Sequence, residues 1–245
     1  MPSDTFVIVT ARDEAELIAA TLDALARAFP GAAVLLADDG SSDATAAIAA
    51  ARGAHVVPSE RAGGKGAAAT LAARQALGNA RARAPGAEPV FVLCDGDLGD
   101  SAAQLATLAD AVASARAELA VASFSERVGG GFGLVLAFAR WAIRRRCGLR
   151  TGAPISGQRA LSASALADVL PFAHGFGMEL GMTIDAVRAG HSVLELELDL
   201  AHRASGRTLA GFAHRGAQLL DLARAYLARG TIGRARAAWR APPGG

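Results

Sequence analysis

The chain has 245 residues, is 52% apolar and carries a formal net charge of +2, which supplies the core of one α/β domain and rules out a disordered chain. Two cysteines, Cys94 and Cys147, are too few for a disulfide framework and lack metal-ligand spacing, and no uncharged apolar run reaches the length of a spanning helix. The small net charge hides a split: residues 1–126 carry net −7 and residues 127–245 net +9, and Lys65 is the only lysine.

In chain order, short apolar runs bounded by turn residues read as buried strands at Thr5–Thr10, Ala33–Ala37, His55–Val57, Val90–Cys94 and Leu119–Ser123. Ala-rich helical segments lie between them, at Asp13–Phe29, Asp43–Arg52, Gly66–Ala84 and Ser101–Arg116. Asp13 with Glu16 reads as a capping box, and Pro30-Gly31 closes the first helix. This alternation predicts βαβ units and a largely parallel sheet, with ligands at the carboxyl ends of the strands after Thr10, Ala37 and Cys94. From about Val128 the rhythm changes. Gly129-Gly130-Gly131 reads as a hinge, Phe132–Arg146 as an apolar helix with a basic end, and the stretch holding Pro154 and Gly157 as a loop. A helix at Met178–Arg188, a strand at Val193–Leu198 and a basic helix from Thr208 to Arg229 complete the reading, with Ala241–Gly245 frayed. No repeat is visible, so residues 1–245 are read as a single domain. Asp4 interrupts the short apolar start, no signal peptide is read, and the expected compartment is the cytoplasm.

Three features carry chemistry. Asp38-Asp39-Gly40-Ser41-Ser42-Asp43 leaves a buried strand and enters a helix. Ser42 or Asp43 suffices to cap that helix, and the remaining carboxylates suit hydrogen bonds from a nucleobase imide or a ribose hydroxyl; a capped surface turn is the alternative. Asp95-Gly96-Asp97 places two carboxylates after a strand, where they repel unless a hard cation such as Mg²⁺ or Mn²⁺ lies beside them. Gly63-Gly64-Lys65-Gly66 precedes a helix, as a phosphate-binding turn does and as an ordinary loop does, without the spacing of a P-loop.

Together these segments resemble the glycosyltransferases of family 2, whose nucleotide-sugar-binding fold, a mostly parallel Rossmann-like sheet flanked by helices, is called GT-A. The resemblance rests on Val7-Ile8-Val9-Thr10 with Asp13-Glu14, on Asp38–Asp43, on Gly64-Lys65-Gly66 and on Asp95-Gly96-Asp97-Leu98. Ser156-Gly157-Gln158-Arg159-Ala160 is similar to the acceptor loop of polyprenyl-phosphate glycosyltransferases, and Gly175-Phe176-Gly177-Met178-Glu179 to the later segment with an acidic residue near the acceptor. His202-Arg203 with Gly206-Arg207 resembles the metal-binding histidine region of glucosyl-phosphoglycerate synthases. The resemblance implies a nucleotide-sugar-binding half at 1–126 and an acceptor-binding half at 127–245. In it Thr10, Asp38 and Asp39 hold the nucleoside, with Asp39 on the base, Lys65 contributes to the donor site and Asp95 contacts the ribose. Asp97 and His202 ligate Mg²⁺ or Mn²⁺ on the diphosphate, Arg203 and Arg207 stabilise that diphosphate, and Glu179 serves the acceptor.

Bland readings stand beside these: His202 as a surface histidine, Arg203 and Arg207 as a solvated segment, Glu179 as a charge favoured at a helix N-terminus. The implied reaction moves a hexose from a nucleotide-diphospho-sugar, with UDP the expected nucleotide, to a phosphorylated acceptor, polyprenyl phosphate first and a soluble phosphoglycerate-like acceptor as the alternative. A nucleotidyltransferase places a Gly-rich basic signature after the first strand, where this chain has Ala11-Arg12-Asp13-Glu14. A non-catalytic nucleotide-sugar-binding protein is the other rival, and no nucleic-acid partner is expected. Residues 127–167 hold seven arginines and no acid, so the helix at 132–146 is read as meeting an anionic bilayer peripherally, the core, or a partner.

Overall fold

The computed structural model describes residues 4–59, 63–83, 86, 88–124, 133–200 and 209–230; for Phe124 and residues 209–217 only the backbone is described. A seven-stranded sheet holds β1 (Thr5–Ala11), β2 (Ala33–Asp38), β3 (His55–Pro58), β4 (Val90–Asp95), β5 (Leu119–Phe124), β6 (Arg159–Ser162) and β7 (Val193–Leu198) in the order β3-β2-β1-β4-β6-β5-β7. All neighbours run parallel except β6, which is antiparallel to both β4 and β5. The helices are α1 (Ile18–Ala28), α2 (Thr45–Ala51), α3 (Lys65–Ala82), α4 (Ala106–Ala113), α5 (Gly133–Cys147), α6 (Ala163–Val169), α7 (Met178–Ala189) and α8 (Leu209–Ala228).

Each buried strand serves two cores, because successive side chains point to opposite faces. Phe6, Ile8, Leu35, Phe91 and Leu93 face one layer with α3, α5 and α7. Val7, Val9, Leu36, Val92 and Cys94 face the other with α1 and α4. Phe6 and Phe91 stack across β1 and β4 with centroids 5.3 Å apart. The alanine face of α3, with Ala68, Ala69, Ala72, Ala73 and Ala76 all buried, lets that helix lie close on the sheet.

The strands expected from the sequence are all present, most of them one residue longer at the carboxyl end. Four expectations need correction. The first helix starts at Ile18, not Asp13, and Leu17 at its cap makes no side-chain bond. Asp13 instead takes a left-handed backbone (φ 55) and its carboxylate accepts from the Ser42 amide (2.7 Å) and hydroxyl (3.0 Å), so a loop-to-loop contact displaces the capping box. Ser42 is thereby used across the loops, and Asp43 accepts from the amides of Thr45 (2.9 Å) and Ala15 (3.1 Å). The expected helix at Ser101–Arg116 divides into a 3₁₀ segment, Gly99–Leu105, and α4. Finally, β6 and α6 occupy a stretch with no expected element. Gly129–Gly131 and Ala241–Gly245 lie outside the described residues.

Two glycines in α3 have opposite roles. A Cβ on Gly66 would lie 1.9 Å from the carbonyl oxygen of Ala173, whereas one on Gly78 meets nothing within 4 Å. Gly78→Ala is expected to stabilise the fold by about 0.5–1 kcal/mol through helix propensity. Gly66→Ala should destabilise it by about 1–3 kcal/mol, because helix and loop must separate. Thermal melts of the two variants, shifted in opposite directions, check this.

Candidate active site

The carboxyl ends of β1, β2 and β4 bring together Thr10, Asp38, Asp39 and Asp95. Thr10 pairs in register with Ala37 on one side and Asp95 on the other. Its hydroxyl donates to Asp95 Oδ1 at 2.9 Å. Asp38 turns back into its own turn, accepting from the Ser41 amide (3.2 Å) and hydroxyl (2.5 Å). Asp39 does not: its amide donates to the Ala11 carbonyl at 3.1 Å, and its side chain meets the Arg12 guanidinium only at 3.9 Å. Asp39 Oδ1 is buried with no partner among the described residues. A buried acceptor left without a donor carries a desolvation penalty that a ligand's N–H or O–H relieves. Of the two aspartates, Asp38 shapes the turn and Asp39 presents an acceptor.

The turn after β4 is fixed from α1. Thr21 donates to the Gly96 carbonyl and accepts from the Gly99 amide, both at 2.9 Å. Gly96 is required there, since a Cβ would lie 2.9 Å from that of Ala11. This turn carries Asp97. Among the described residues no group of three or more His, Cys, Asp or Glu side chains converges on a point that could hold a metal. His202, Arg203 and Arg207 lie outside the described residues.

Lys65 opens α3, after Gly64 in a left-handed conformation (φ 78) that favours glycine. Its ammonium lies 2.7 Å from Asp95 Oδ1 and 2.8 Å from Glu179 Oε1. The sequence leaves the turn at Lys65 open between a phosphate site and an ordinary loop; both of its short contacts are to carboxylates. Burial works against the charged ammonium, but Asp95 and Glu179 hold it well above its ordinary 10.5. Burial pushes the Asp95 carboxyl up as well, yet Lys65, Thr10 and Gln158 outweigh it and keep the group below its ordinary 3.8. Gln158 donates to Asp95 Oδ2 at 2.8 Å, so both oxygens of Asp95 are engaged from within the chain. Gly157 is pressed into the same place: a Cβ there would lie 2.6 Å from Asp95 Oδ2 and 2.8 Å from Lys65 Nζ. Cys94, buried beside these groups, has its thiol pushed well up by burial and by Asp95 and Asp97, which removes it as a nucleophile.

Glu179 stands in the first turn of α7, 4% exposed. Behind it lies Arg159, fully buried at the start of β6, a residue that sequence reasoning passed over as part of a motif. Its Nε donates to the Ser156 carbonyl (2.8 Å) and its Nη1 to Thr183 Oγ1 (2.9 Å), while Thr183 donates to the Glu179 carbonyl (3.0 Å). Burial brings the Arg159 guanidinium down to about 10, with Glu179 and Glu195 acting in the opposite sense, so it stays charged at neutral pH. Arg159 thus links the turn bearing Gly157 and Gln158 to the helix bearing Glu179. The signal in the sequence is an arginine that opens a short apolar run, Ala160-Leu161, two positions after a glycine.

The family model for glycosyl transferase family 2 matches residues 6–159, and the chain belongs to that family. It is a glycosyltransferase with a GT-A fold, which sets aside the nucleotidyltransferase alternative. Among solved structures it is similar to the glucosyl-3-phosphoglycerate synthase of Mycobacterium tuberculosis in complex with Mn²⁺, UDP and glucosyl-3-phosphoglycerate, at 25% identity and a TM-score of 0.71, covering 94% of this chain and 81% of that one. The same synthase with Mn²⁺, UDP-glucose and glycerol 3-phosphate gives 23% identity, a TM-score of 0.68 and the same coverages, 94% and 81%, a likeness of fold. No curated protein sequence matches the chain.

Removing one partner of a buried ion pair costs about 3–5 kcal/mol; with both the Lys65 and Asp95 side chains 28% exposed, screening reduces this to roughly 1–3 kcal/mol. Asp95, depressed in the folded state, contributes stability that is full above its ordinary 3.8 and lost as pH falls through the lower folded value. Lys65, raised, contributes throughout the range below its ordinary 10.5. Lys65→Met should therefore be less stable than wild type at pH 7, with the gap closing at the acid end, as pH falls below the ordinary 3.8 of Asp95 and through its lower folded value. Denaturant titrations at the two ends check this; an equal gap at both contradicts it.

Proposed function

We propose that the chain transfers a hexose from a UDP-sugar to a phosphorylated acceptor, with Mg²⁺ or Mn²⁺ as cofactor, and that the acceptor is polyprenyl phosphate. The observation that carries the donor side is Asp39 Oδ1, buried just after β2 without a donor among the described residues. An imide N–H of a uracil base supplies what this oxygen lacks. UDP bound to the similar synthase supports the choice of nucleotide.

The residues present fit a divalent ion. The metal is assigned to Asp97, in the turn braced by Thr21, whose hard carboxylate oxygens suit Mg²⁺ or Mn²⁺. His202 and the donor's own phosphates would complete its ligands. When bound, the ion supplies Lewis-acid stabilisation of the charge that grows on the departing diphosphate. Asp39 binds the base and Thr10 shapes the floor beneath it. Glu179, held by Lys65, is placed to take hydroxyls of the transferred sugar. A phosphate acceptor is already anionic and needs no general base, which agrees with a Glu179 ion-paired to an ammonium. Arg203 and Arg207 are assigned to the diphosphate, where bidentate hydrogen bonds stabilise the leaving group.

A second reading, transfer to a small soluble phosphorylated acceptor, is favoured by two observations. The similar synthase is held in complex with glucosyl-3-phosphoglycerate. In addition, the arginine-rich end of α5 lies away from Glu179: Arg188 donates to the Arg146 carbonyl (3.2 Å) from the last turn of α7. The rise of α7 from Glu179 to Arg188 is about 14 Å. Parallel assays with UDP-hexoses on polyprenyl phosphate and on 3-phosphoglycerate decide between the two; turnover of the soluble acceptor alone removes the lipid reading.

Excess chelator should abolish turnover, and Asp97→Asn should cost about 2–4 kcal/mol of transition-state stabilisation in kcat/KM. Full activity in chelator contradicts the metal assignment. Asp39→Ala should weaken UDP binding by about tenfold or more, the worth of one hydrogen bond to a charged group, with an unchanged melting temperature. Calorimetry with UDP measures it. His202→Ala should lower metal affinity, and in the wild type that affinity should fall as pH drops below about 6.5, where imidazole protonates.

A further inference from the structure

Four of the five large apolar side chains that stand exposed among the described residues lie on two neighbouring helices: Leu134 (80% exposed) and Trp141 (51%) on α5, Leu220 (59%) and Leu227 (71%) on α8. Within each pair the spacing is two helical turns, so each forms one outward stripe. Aromatic rings join the stripes: Trp141 lies 5.1 Å and Phe138 6.2 Å from the Tyr226 ring, and Phe138 and Trp141 are 5.7 Å apart.

The surroundings are cationic. Arg140, Arg144, Arg145 and Arg150 are exposed, and the Arg224 side chain is 72% exposed. The Arg146 guanidinium sits 3.7 Å over the Tyr226 ring. α5 contains no acidic residue, and the one acid of α8, Asp221, accepts from the Phe176 amide at 3.2 Å and pairs with Arg224 at 3.3 Å. A two-fold pairing of this face with itself would set arginine against arginine, and the single carboxylate of the two helices, Asp221, is already paired with Arg224. Leucine, tryptophan and tyrosine rimmed by arginine match the headgroup region of an anionic leaflet, which takes amphipathic rings and pairs phosphates with guanidinium groups. Among the described residues no helix is long and apolar enough to cross a membrane, so such contact is peripheral.

We infer that the α5–α8 face docks the protein on the surface of an anionic lipid bilayer. Leu134, Trp141, Leu220 and Leu227 enter the interface, and Arg144, Arg145 and Arg224 meet the headgroups. The arginine end of α5 lies away from Glu179, so its contact with headgroups holds for a lipid-linked or a soluble acceptor alike.

The test is sedimentation of the full chain with phosphatidylcholine vesicles, with and without phosphatidylglycerol, at salt of roughly 0.05 and 0.5 M. The protein should pellet with phosphatidylglycerol at low salt and be released at high salt. One basic residue near an anionic surface is worth about fivefold in partitioning, so Arg144→Glu with Arg145→Glu should lower binding by about 25-fold or more. Leu134→Ser with Leu227→Ser should lower it as well. Both pairs are exposed, and their melting temperatures should match the wild type. The inference is overturned if the wild type stays in the supernatant at low salt, or if binding is equal on neutral vesicles or unaffected by both double variants. It is also overturned if light scattering finds a stable dimer that the leucine pair converts to monomer, which would make the face a subunit interface.

Discussion

One ammonium group holds the centre of this molecule together. Lys65 is the only lysine in the chain, and it joins Asp95 at the end of β4 to Glu179 at the start of α7. A cation in the first turn of a helix opposes the helix dipole, so Lys65 is tolerable there because two carboxylates face it. Glu179, an anion in the first turn of its own helix, gains from the same effect. The surrounding small residues follow from this contact. Gly66 lets α3 approach the Ala173 carbonyl, and Gly157 leaves room for the Asp95–Lys65 pair. The hydroxyl of Thr70 on α3 accepts from the Phe172 amide at 3.0 Å, which fastens the same helix to the segment leading into α7.

Around that centre the sheet separates two kinds of task. β1, β2 and β4 run parallel and deliver Thr10, Asp39 and the Asp97 turn to one edge. The later strands and helices deliver Gln158, Arg159 and Glu179 to the same edge from the other half of the chain. Arg159 is the costly part of this arrangement: a guanidinium with no exposure and an Nη2 that has no partner among the described residues. Its two hydrogen bonds reach Ser156 and Thr183, and through Thr183 the first turn of α7. A buried charge used in this way exchanges stability for a fixed relation between a loop and a helix.

Much of this was legible in the sequence, and the reasons differ by element. The parallel strands are apolar on both faces and bounded by turn residues, so their extents could be read to within a residue or so. The positions of Asp39 and Asp95 at strand ends were legible because carboxylates stand out against apolar runs. The start of α1 was not, because Asp13 bonds to Ser42, 29 residues away, and tertiary contact overrides local capping. The partner of Lys65 was hidden for the same reason, since Glu179 lies 114 positions further on. β6 escaped notice because its four residues include a buried arginine and follow directly on a loop, which breaks the apolar signature of a strand. His202, Arg203 and Arg207 rest on resemblance alone.

The reversed direction of β6 has a consequence for how such an enzyme diversifies. Because β6 is antiparallel to β4, with Leu93 opposite Arg159, the residues that precede it, and not those that follow it, extend toward Asp95. The connection from α5 therefore enters the site before its strand begins, and the ladder fixes Gly157 and Gln158 whatever the path taken to reach them. Insertions and deletions in that connection alter the neighbourhood of Lys65 and Glu179, where the acceptor is proposed to bind, while the register beside Asp95 is kept. The turn after β2, proposed above to bind the base, is encoded elsewhere and is untouched by such changes. A lineage built on this sheet can change the molecule it modifies by rewriting one short stretch of sequence, and keep the nucleotide it inherited.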